Sequence, residues 1–483
     1  MDNTWFAMAL FALDLFLRLF FSLQIIRRRL PVGVAWAWIG FILYFPLLGT
    51  LSYLFLGEYR VGRRRSRRLR ATETAIARLF SSSLDSQPPA LQLPPSVASF
   101  AKGVNGFFGS PLLSGNDVEL LEDADVALSK IISDIDQAKF SCDMEFYIWS
   151  DGGRADELAQ ALARAARRGV RCRILLDQVG SAAFLKGTIA KNLRAVGIEL
   201  WAALPSGLIR SIIARPDLRI HRKILVIDGT IAFTGSLNIA DPKLFKISAG
   251  VGQWVDAFCR VRGPAVKALS LVFLSDWCVE KDLDFMAEEK HLRFQDSAVR
   301  GTANIQCLAS GPSVKNSAIE EVLIMAIYSA QKKLVLTTPY FIPNESMFYA
   351  LIASARRGVE VTLIVPAKVD SRLAHYASRA FLQDLVEAGV RVAFYEGGML
   401  HTKSITVDGE FCLFGSLNLD PRSLRINFEI TLAIYGGTFV RALSDLQDLY
   451  LTKSKFLDLS TYVKQGWRTR LLEDVARLAG PIL

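Results

Sequence analysis

Two of the four histidines in this chain stand in identical settings, at positions 221 and 401. Each begins the pattern H-x-K-x4-D-x6-G-S-x-N, and every spacing is the same in both copies. Histidine can act as a nucleophile or a proton donor near neutral pH, and a lysine two residues away supplies a cation suited to a phosphate. The duplication therefore predicts one catalytic site built from two halves. The candidate residues are His221, Lys223, Asp228, Ser236 and Asn238 in the first copy and His401, Lys403, Asp408, Ser416 and Asn418 in the second.

In both copies an Asp-Gly pair lies between runs rich in β-branched residues, which is a strong signal for a β-hairpin. If the turn takes two residues, Ile227 faces Thr230 and His221 lies directly opposite Ser236. The second copy gives the same arrangement. The His, Lys, Ser and Asn of each copy would then project from one face of the sheet, where the serine and asparagine donate hydrogen bonds to phosphate oxygens.

Two such half-sites facing each other suit transfer of a phosphorus-containing group. A neutral imidazole would attack phosphorus, and an imidazolium would protonate the leaving oxygen. Because the lysines offset phosphate charge, we expect no metal ion and no cofactor. Asp228 and Asp408 belong to the candidate site, although Asp-Gly is turn chemistry and a structural role is the favoured interpretation for both.

The segments around the motifs are also duplicated. Residues 165–170 (AARRGV) match 354–359 (SARRGV), and residues 193–198 match 385–390. Each half reads as strand, helix, Arg-Gly turn, strand, helix, Gly turn and strand, which predicts an α/β domain with a largely parallel sheet. The first half carries an additional apolar and basic segment at 204–216, interpreted either as a surface loop or as a lid that contacts lipid.

The N-terminal region predicts membrane attachment. Residues 31–56 contain no charged residue over 26 positions, whereas about 20 apolar residues suffice to cross a bilayer. Residues 4–26 are also apolar but include Asp14 and Arg18, which can pair at i and i+4. This segment is either a first span or an interfacial helix. Residues 81–95, rich in Ser and Pro, predict a linker, and residues 462–483 predict a helix that is either interfacial or packed on the domain.

Arginine distribution predicts the orientation. Three arginines separate the two apolar segments and seven follow the second, so the positive-inside rule places the bulk of the chain in the cytoplasm. The formal charge of +10 favours an anionic partner, either a nucleic acid or an anionic membrane. The six scattered cysteines predict buried free thiols in a reducing compartment.

Together these residues resemble the duplicated HKD motifs of the phospholipase D superfamily, and in particular its bacterial cardiolipin synthases. Further landmarks of the resemblance are residues 49–60, 145–147, 338–341, 418–423 and 427–429. The resemblance implies that His221 is the nucleophile and His401 the general acid, with the opposite assignment left open. It also implies that Glu429 orients the motif-two histidine, His401, and that Asp256 is its counterpart in the first half.

The resemblance implies phosphatidyl transfer, in which two phosphatidylglycerols give cardiolipin and glycerol. The expected partners are phosphatidylglycerol, other anionic phospholipids and the membrane, and no nucleic acid. The expected location is the bacterial inner membrane, as a multi-pass protein with its catalytic domain on the cytoplasmic side. The alternatives are a phospholipase D that hydrolyses lipid or uses phosphatidylethanolamine as donor, a phospholipase D-type nuclease, and a lipid-binding protein with a vestigial site.

The expected fold is α/β: two phospholipase D-like repeats form a pseudo-twofold catalytic unit, preceded by an α-helical membrane hairpin. The expected divisions are membrane segments at 1–58, a basic collar and linker at 59–100, repeat 1 at 101–295, and repeat 2 with a C-terminal helix at 296–483.

Overall fold

The computed structural model describes residues 3–28, 30, 32–45, 47–57, 61–81, 93–204, 215–294, 301–312, 318–462 and 466–478. Most of the predicted linker at 81–95 and most of the additional segment at 204–216 lie outside these residues, as do residues 463–465 and 479–483 of the predicted C-terminal segment. By their contacts, residues 1–64 and 206–218 form one compact unit, and residues 65–205 and 219–483 form a second.

The α-helices are α1 (Asn3–Arg27), α2 (Val32–Tyr44), α3 (Leu48–Ser52), α4 (Arg63–Ser81), α5 (Pro95–Phe108), α6 (Ala124–Asp136), α7 (Arg154–Arg167), α8 (Ala182–Lys186), α9 (Thr188–Ala195), α10 (Ala265–Lys281), α11 (Phe285–Glu289), α12 (Ala318–Ser329), α13 (Glu345–Arg356), α14 (Arg372–Arg379), α15 (Leu382–Glu387), α16 (Pro421–Arg425), α17 (Gly437–Thr452), α18 (Leu459–Tyr462) and α19 (Trp467–Leu478). A π-helix covers Tyr53–Gly57, and a 3₁₀ helix covers Ile247–Ala249.

The strands are β1 (Leu113–Leu121), β2 (Ser141–Phe146), β3 (Arg171–Asp177), β4 (Glu199–Ala203), β5 (Ile224–Ile227), β6 (Ile231–Gly235), β7 (Trp254–Val255), β8 (Phe258–Arg262), β9 (Ala303–Ser310), β10 (Lys333–Thr337), β11 (Glu360–Pro366), β12 (Arg391–Tyr395), β13 (Met399–Leu400), β14 (Ser404–Val407), β15 (Phe411–Gly415), β16 (Glu429–Tyr435) and β17 (Ser454–Phe456).

In the first unit, α1 is long and apolar enough to cross a membrane over Thr4–Arg27 by length and composition, and most of its large apolar side chains are exposed. The predicted i,i+4 pair forms within it, with Arg18 Nη2 2.5 Å from Asp14 Oδ2. Pairing lowers the cost of carrying the two charges through an apolar environment.

The predicted second span is not one continuous helix. Residues 31–56 are divided among α2, α3 and the start of the π-helix. Proline at position 46 has no amide hydrogen and disfavours helical geometry in the residue before it, and Leu47 has a positive φ of 55°. Within the described residues, only Thr4–Arg27 reaches the length and apolarity of a membrane span, and Val32–Tyr44 is a shorter apolar helix.

In the second unit, the strand order of the large sheet shows the duplication. The order is β17-β12-β11-β10-β14-β15-β16-β9-β1-β8-β6-β5-β2-β3-β4. From the central β9–β1 pair outward, each half therefore runs through corresponding strands, with β5–β6 of the first motif matched by β14–β15 of the second. The prediction of a largely parallel sheet is wrong: within each half only β2–β3–β4 and β10–β11–β12 are parallel, and the strands that carry the motifs are antiparallel.

Both faces of this sheet are buried around β5, which explains the apolar run after Lys223. In β5, Ile224 and Val226 contribute to a core that includes α10 and α17, whereas Leu225 and Ile227 contribute to a core that includes α6 and α7. Neighbouring side chains of a strand point to opposite faces, so a strand covered on both sides is apolar at every position. This packing fixes the position of the motif residues just before β5 and β14.

Candidate active site

Each motif histidine lies on a short extended segment that pairs with the other half of the chain. The His221 backbone N–H donates to the Phe428 carbonyl at 2.9 Å, and the Phe428 N–H donates to the Arg219 carbonyl at 2.9 Å. In the same way the His401 N–H donates to the Val255 carbonyl at 2.7 Å, following the parallel β13–β7 pair. The backbone of one half therefore positions the histidine of the other.

This pairing brings each histidine to the carboxylate that directly follows its partner segment. His221 Nδ1 lies 2.8 Å from Glu429 Oε2, and His401 Nδ1 lies 2.6 Å from Asp256 Oδ1. The expected pairing of Glu429 with His401 is therefore wrong, because the carboxylates are exchanged between halves. A carboxylate acceptor fixes the hydrogen on Nδ1 of a neutral imidazole, which leaves the Nε2 lone pair available.

The serines of the motifs bind these same carboxylates. Ser236 Oγ donates to Asp256 Oδ1 at 2.6 Å and accepts from the Ala257 N–H at 3.0 Å. Ser416 Oγ likewise donates to Glu429 Oε2 and accepts from the Ile430 N–H. A hydroxyl has one hydrogen to donate, so in this arrangement neither serine donates to a phosphate. In this arrangement Ser236 and Ser416 support the carboxylates, which differs from the predicted donation to a phosphate.

The motif lysines are buried beside the histidines. Lys223 Nζ donates to the His221 carbonyl at 2.7 Å, and Lys403 Nζ donates to the His401 carbonyl. Burial lowers the pKa of Lys223 to about 8, even though Glu429 and Asp256 act in the opposite direction. The pKa of Lys403 also lies well below its usual value because of burial, and the nearby charge of Lys223 lowers it further.

Both histidines are less basic than a histidine in water. Burial lowers the pKa of His221 to about 4 and that of His401 to about 4, and the neighbouring lysines add to the effect. Each histidine is influenced by Lys223 and by Lys403 together, so the two motifs share one electrostatic environment. Burial raises the pKa of Asp256, but the contact with His401, the charge of Lys403 and the hydrogen bond from Ser236 outweigh it and lower this pKa to about 2.

The hairpins have a different register from the one expected. Ile227 pairs with Ile231, and Val407 pairs with Phe411, so each turn contains three residues and not two. The prediction that His221 lies opposite Ser236 is consequently wrong by one position. Left-handed backbone at the Asp-Gly positions, with φ of 53° at the aspartate in both copies, accommodates the longer turn.

The motif aspartates lie at the far ends of strands β5 and β14 from the histidines. The Asp228 carboxylate accepts backbone N–H groups from Lys139, Phe140 and Ser141 at 2.7–2.9 Å. The Asp408 carboxylate accepts the three corresponding groups of residues 331–333 at 2.7–2.8 Å. Both aspartates fasten the turn to the start of the neighbouring strand, in agreement with the structural interpretation favoured for the Asp-Gly pairs.

The two motif asparagines are buried next to the site. Asn238 Oδ1 accepts from the Ile148 N–H at 3.4 Å. Asn418 hydrogen-bonds to Asp420 through its side chain, and among the described residues its Oδ1 atom has no hydrogen-bond partner. Of the four predicted phosphate-binding residues, these two remain candidates for that role.

Several residues near the site were missed by the sequence patterns. The Tyr147 ring lies 5.0 Å from the His221 ring, and the Trp254 ring lies 4.7 Å from that of His401. Arg222, between His221 and Lys223, donates from Nε to the Glu429 carbonyl at 3.0 Å. The arginine had no equivalent in the second copy, where the position is threonine, so comparing the repeats gave no signal for it. Within the described residues, no group of three or more potential ligands is arranged to hold a metal ion.

Comparison with known proteins identifies the family of this chain. A family model described as "Cardiolipin synthase, PLD-like domain" matches residues 131–247 and 323–448, the two stretches that contain the motifs. Cardiolipin synthase A of Salmonella arizonae and that of Citrobacter koseri are each 40% identical to this chain over 466 residues, covering 96% of this chain and 95% of theirs. A phosphatidylserine synthase structure from Haemophilus influenzae covers 80% of this chain and 100% of its own, with a TM-score of 0.61 at 16% identity, and supports the fold.

Proposed function

The chain belongs to the cardiolipin synthase family with phospholipase D-like domains, and we propose that it transfers a phosphatidyl group from one phosphatidylglycerol to another, giving cardiolipin and glycerol. It is a phosphatidyltransferase of the phospholipase D type. The observation that carries the proposal is the crossed pair of His–carboxylate contacts, His221–Glu429 and His401–Asp256. They leave two imidazole Nε2 atoms free in one buried, lysine-lined site.

In the first step, Nε2 of His221 attacks the donor phosphorus and forms a P–N bond. The P–O bond to the headgroup glycerol breaks, and His401 gives its Nε2 proton to the departing oxygen. Burial favours the neutral form of both histidines, so His401 must gain a proton when the anionic donor binds. The negative phosphate favours that proton because it stabilises the imidazolium, and Asp256 stabilises it from the other side.

In the second step, His401 takes a proton from a headgroup hydroxyl of the second phosphatidylglycerol. That oxygen attacks phosphorus, the P–N bond to His221 breaks, and cardiolipin leaves. Lys223 and Lys403 supply positive charge to the phosphate oxygens in both steps. Asn238 and Asn418 are proposed to contact the phosphate, whereas Ser236 and Ser416 hold the carboxylates that orient the histidines.

The apolar N-terminal helix associates the chain with a membrane. We propose that the protein resides in the bacterial inner membrane and crosses it more than once, with the repeats on the cytoplasmic side. The arginine-rich residues 60–70 support this orientation. Proximity to lipid matters because a covalent intermediate reaches a lipid alcohol instead of water only where bulk water is scarce.

The test is incubation of the purified full-length chain with vesicles of phosphatidylglycerol carrying a labelled headgroup. The expected products are cardiolipin and labelled glycerol in equal amounts. Phosphatidic acid as the main product would instead indicate a hydrolase. Adding phosphatidylethanolamine tests the alternative donor, because its use releases ethanolamine. Cleavage of DNA without lipid turnover would contradict the proposal altogether.

A further inference from the structure

Helix α19 places its apolar side chains away from the protein. Four large side chains recur at i, i+4, i+8 and i+11 and are largely exposed: Trp467 by 70%, Leu471 by 53%, Val475 by 55% and Leu478 by 77%. At 100° per residue these four positions fall within about 80° of the helix circumference. We call these four residues the outward stripe.

The opposite side of α19 faces the protein. Glu473 and Ala476 are buried, and Ala476 packs with Ala374 and Ala377 of α14. A surface helix of a water-soluble domain ordinarily buries its apolar side and exposes its polar side. In α19 the large apolar residues are outside and smaller or polar residues are inside. An inverted helix of this kind requires an apolar partner beyond the fold.

The charges around the outward stripe identify an anionic lipid surface as that partner. Three arginines are exposed here, Arg468 and Arg477 on α19 and Arg372 at the start of α14, against one exposed acid on α19, Asp474. The Arg468 guanidinium carbon lies 5.5 Å from the centre of the Trp467 ring. An apolar stripe with tryptophan and flanking arginines is the composition of helices that lie in the headgroup region of a bilayer, and each arginine near an anionic surface strengthens the attraction.

A chain of contacts connects α14, on which α19 packs, to the active site. Asp370, two residues before α14, accepts from the Tyr340 hydroxyl at 2.5 Å and from Lys246 Nζ at 2.8 Å. Lys246 Nζ lies 5.4 Å from the centre of the Trp254 ring, and this ring lies against His401. The helix is therefore fastened to the side of the second unit that holds the histidine proposed to activate the second lipid.

We propose that α19 is an interfacial helix whose outward stripe inserts into the headgroup region of an anionic phospholipid bilayer, keeping the active site next to its lipid substrates. The need for lipid access rests on the proposed function, whereas the insertion itself does not. The docking is separate from the apolar N-terminal helix α1, which associates the chain with the membrane whether or not α19 inserts.

Insertion is tested by replacing Leu471 with cysteine and attaching a fluorophore sensitive to polarity. The native cysteines are all buried, so the full-length chain in phosphatidylglycerol vesicles reports on the new site. Gln331→Cys is the matched control, because Gln331 is exposed beside the Asp408 turn, at the far end of β14 from His401. We expect quenching by nitroxide-labelled lipids at position 471 and not at 331.

Two results would overturn the proposal. Equal quenching of both labels by aqueous iodide would show that the outward stripe stays in water. Crosslinking between labelled copies that protects position 471 without lipid quenching would identify a second copy of the chain as the occupant.

The contribution to turnover is tested with Leu471→Glu and Val475→Glu, and Gln331→Glu adds the same charge at the control position. We expect the two stripe variants to lower the rate on phosphatidylglycerol vesicles at least about fivefold, with unchanged rates on phosphatidylglycerol dispersed in detergent. Equal rates for all three variants on vesicles would contradict the proposed role. If the unaltered protein makes no cardiolipin from either substrate, the proposed function fails, while the quenching result still decides the insertion.

Discussion

His221 of the first motif hydrogen-bonds to Glu429, a residue that follows the second motif, with Nδ1 2.8 Å from Oε2. The reciprocal contact joins His401 to Asp256, which follows the first motif. Each histidine is thus oriented by a carboxylate from the opposite half. The backbone hydrogen bonds that the two histidines donate to Phe428 and Val255 place each carboxylate beside its histidine. The chemical roles of the two histidines are consequently separable by experiment.

The first prediction concerns the leaving group. When the headgroup is replaced by nitrophenol, the departing nitrophenolate needs no proton. Cleavage of this substrate therefore needs no general acid. His401→Ala should lose nearly all activity on phosphatidylglycerol but regain release of nitrophenol, whereas His221→Ala should be inactive on both. Stopped-flow absorbance measures the release. If His221→Ala is the variant that is rescued, the two roles are reversed.

The crossed contacts extend this prediction to the carboxylates. Asp256→Asn should behave like the His401 variant, and Glu429→Gln like the His221 variant. Loss of a carboxylate that fixes the imidazole tautomer costs up to about 10⁴-fold in kcat in a well-studied triad. The same assay with both substrates distinguishes the Asp256 variant from the Glu429 variant. Pairing within each half, with Glu429 acting on His401, predicts the opposite result for both variants.

The second prediction concerns Ser236. The substitution Ser236→Ala removes one hydrogen bond to the Asp256 carboxylate with little change in volume, and bonds to charged groups contribute about 1.5–3 kcal/mol. We expect kcat to fall roughly 10- to 100-fold while KM changes little, since the hydroxyl holds a carboxylate and not the substrate. A raised KM with unchanged kcat would instead indicate that Ser236 contacts the substrate phosphate. Steady-state kinetics on mixed micelles measures both constants.

The third prediction is a limit on activity at high pH. Lys223 carries its charge below its pKa of about 8 and loses it above that pH, so kcat/KM should decline as the pH rises through 8. The bound phosphate favours the charged lysine, so the decline in kcat should occur at higher pH than the decline in kcat/KM. A kcat/KM profile that stays flat from pH 7 to pH 10 would be inconsistent with a buried lysine acting as the cation.

The fourth prediction separates stability from catalysis at Asp408. Asparagine tolerates the left-handed backbone of this position but weakens the three hydrogen bonds that the carboxylate accepts. We expect Asp408→Asn to destabilise the fold by about 1–3 kcal/mol and to leave kcat within about twofold. Thermal inactivation and turnover per folded protein are the measurements, with Asp117→Asn as control, because the Asp117 side chain is exposed on β1. A large loss of kcat without destabilisation would indicate that Asp408 takes part in catalysis.

The sequence allowed prediction of features that depend on local patterns. Repetition of the motif identified both histidines and both lysines as candidates, and the structure brings all four together in a shared electrostatic environment. The i,i+4 spacing of Asp14 and Arg18 correctly predicted their ion pair, because partners on one helix turn are determined by sequence distance alone.

Features that depend on long-range pairing were not predictable in this way. Whether Glu429 meets His401 or His221 is decided by backbone bonds between segments some 200 residues apart, and no spacing within a motif encodes them. The prediction of the hairpin register was wrong for a related reason. The Asp228 side chain bonds to the backbone of residues 139–141, a distant strand start, and this contact accommodates a three-residue turn that the Asp-Gly pair alone did not indicate.

The exchange of carboxylates has a consequence for how such a site depends on concentration. A protein with only one of these repeats would hold a histidine with no carboxylate to orient it and a carboxylate with no histidine, until it met a second copy. Its activity would vanish on dilution as the pair came apart. Joining both repeats in one polypeptide makes that encounter intramolecular, so the site stays complete however dilute the protein is.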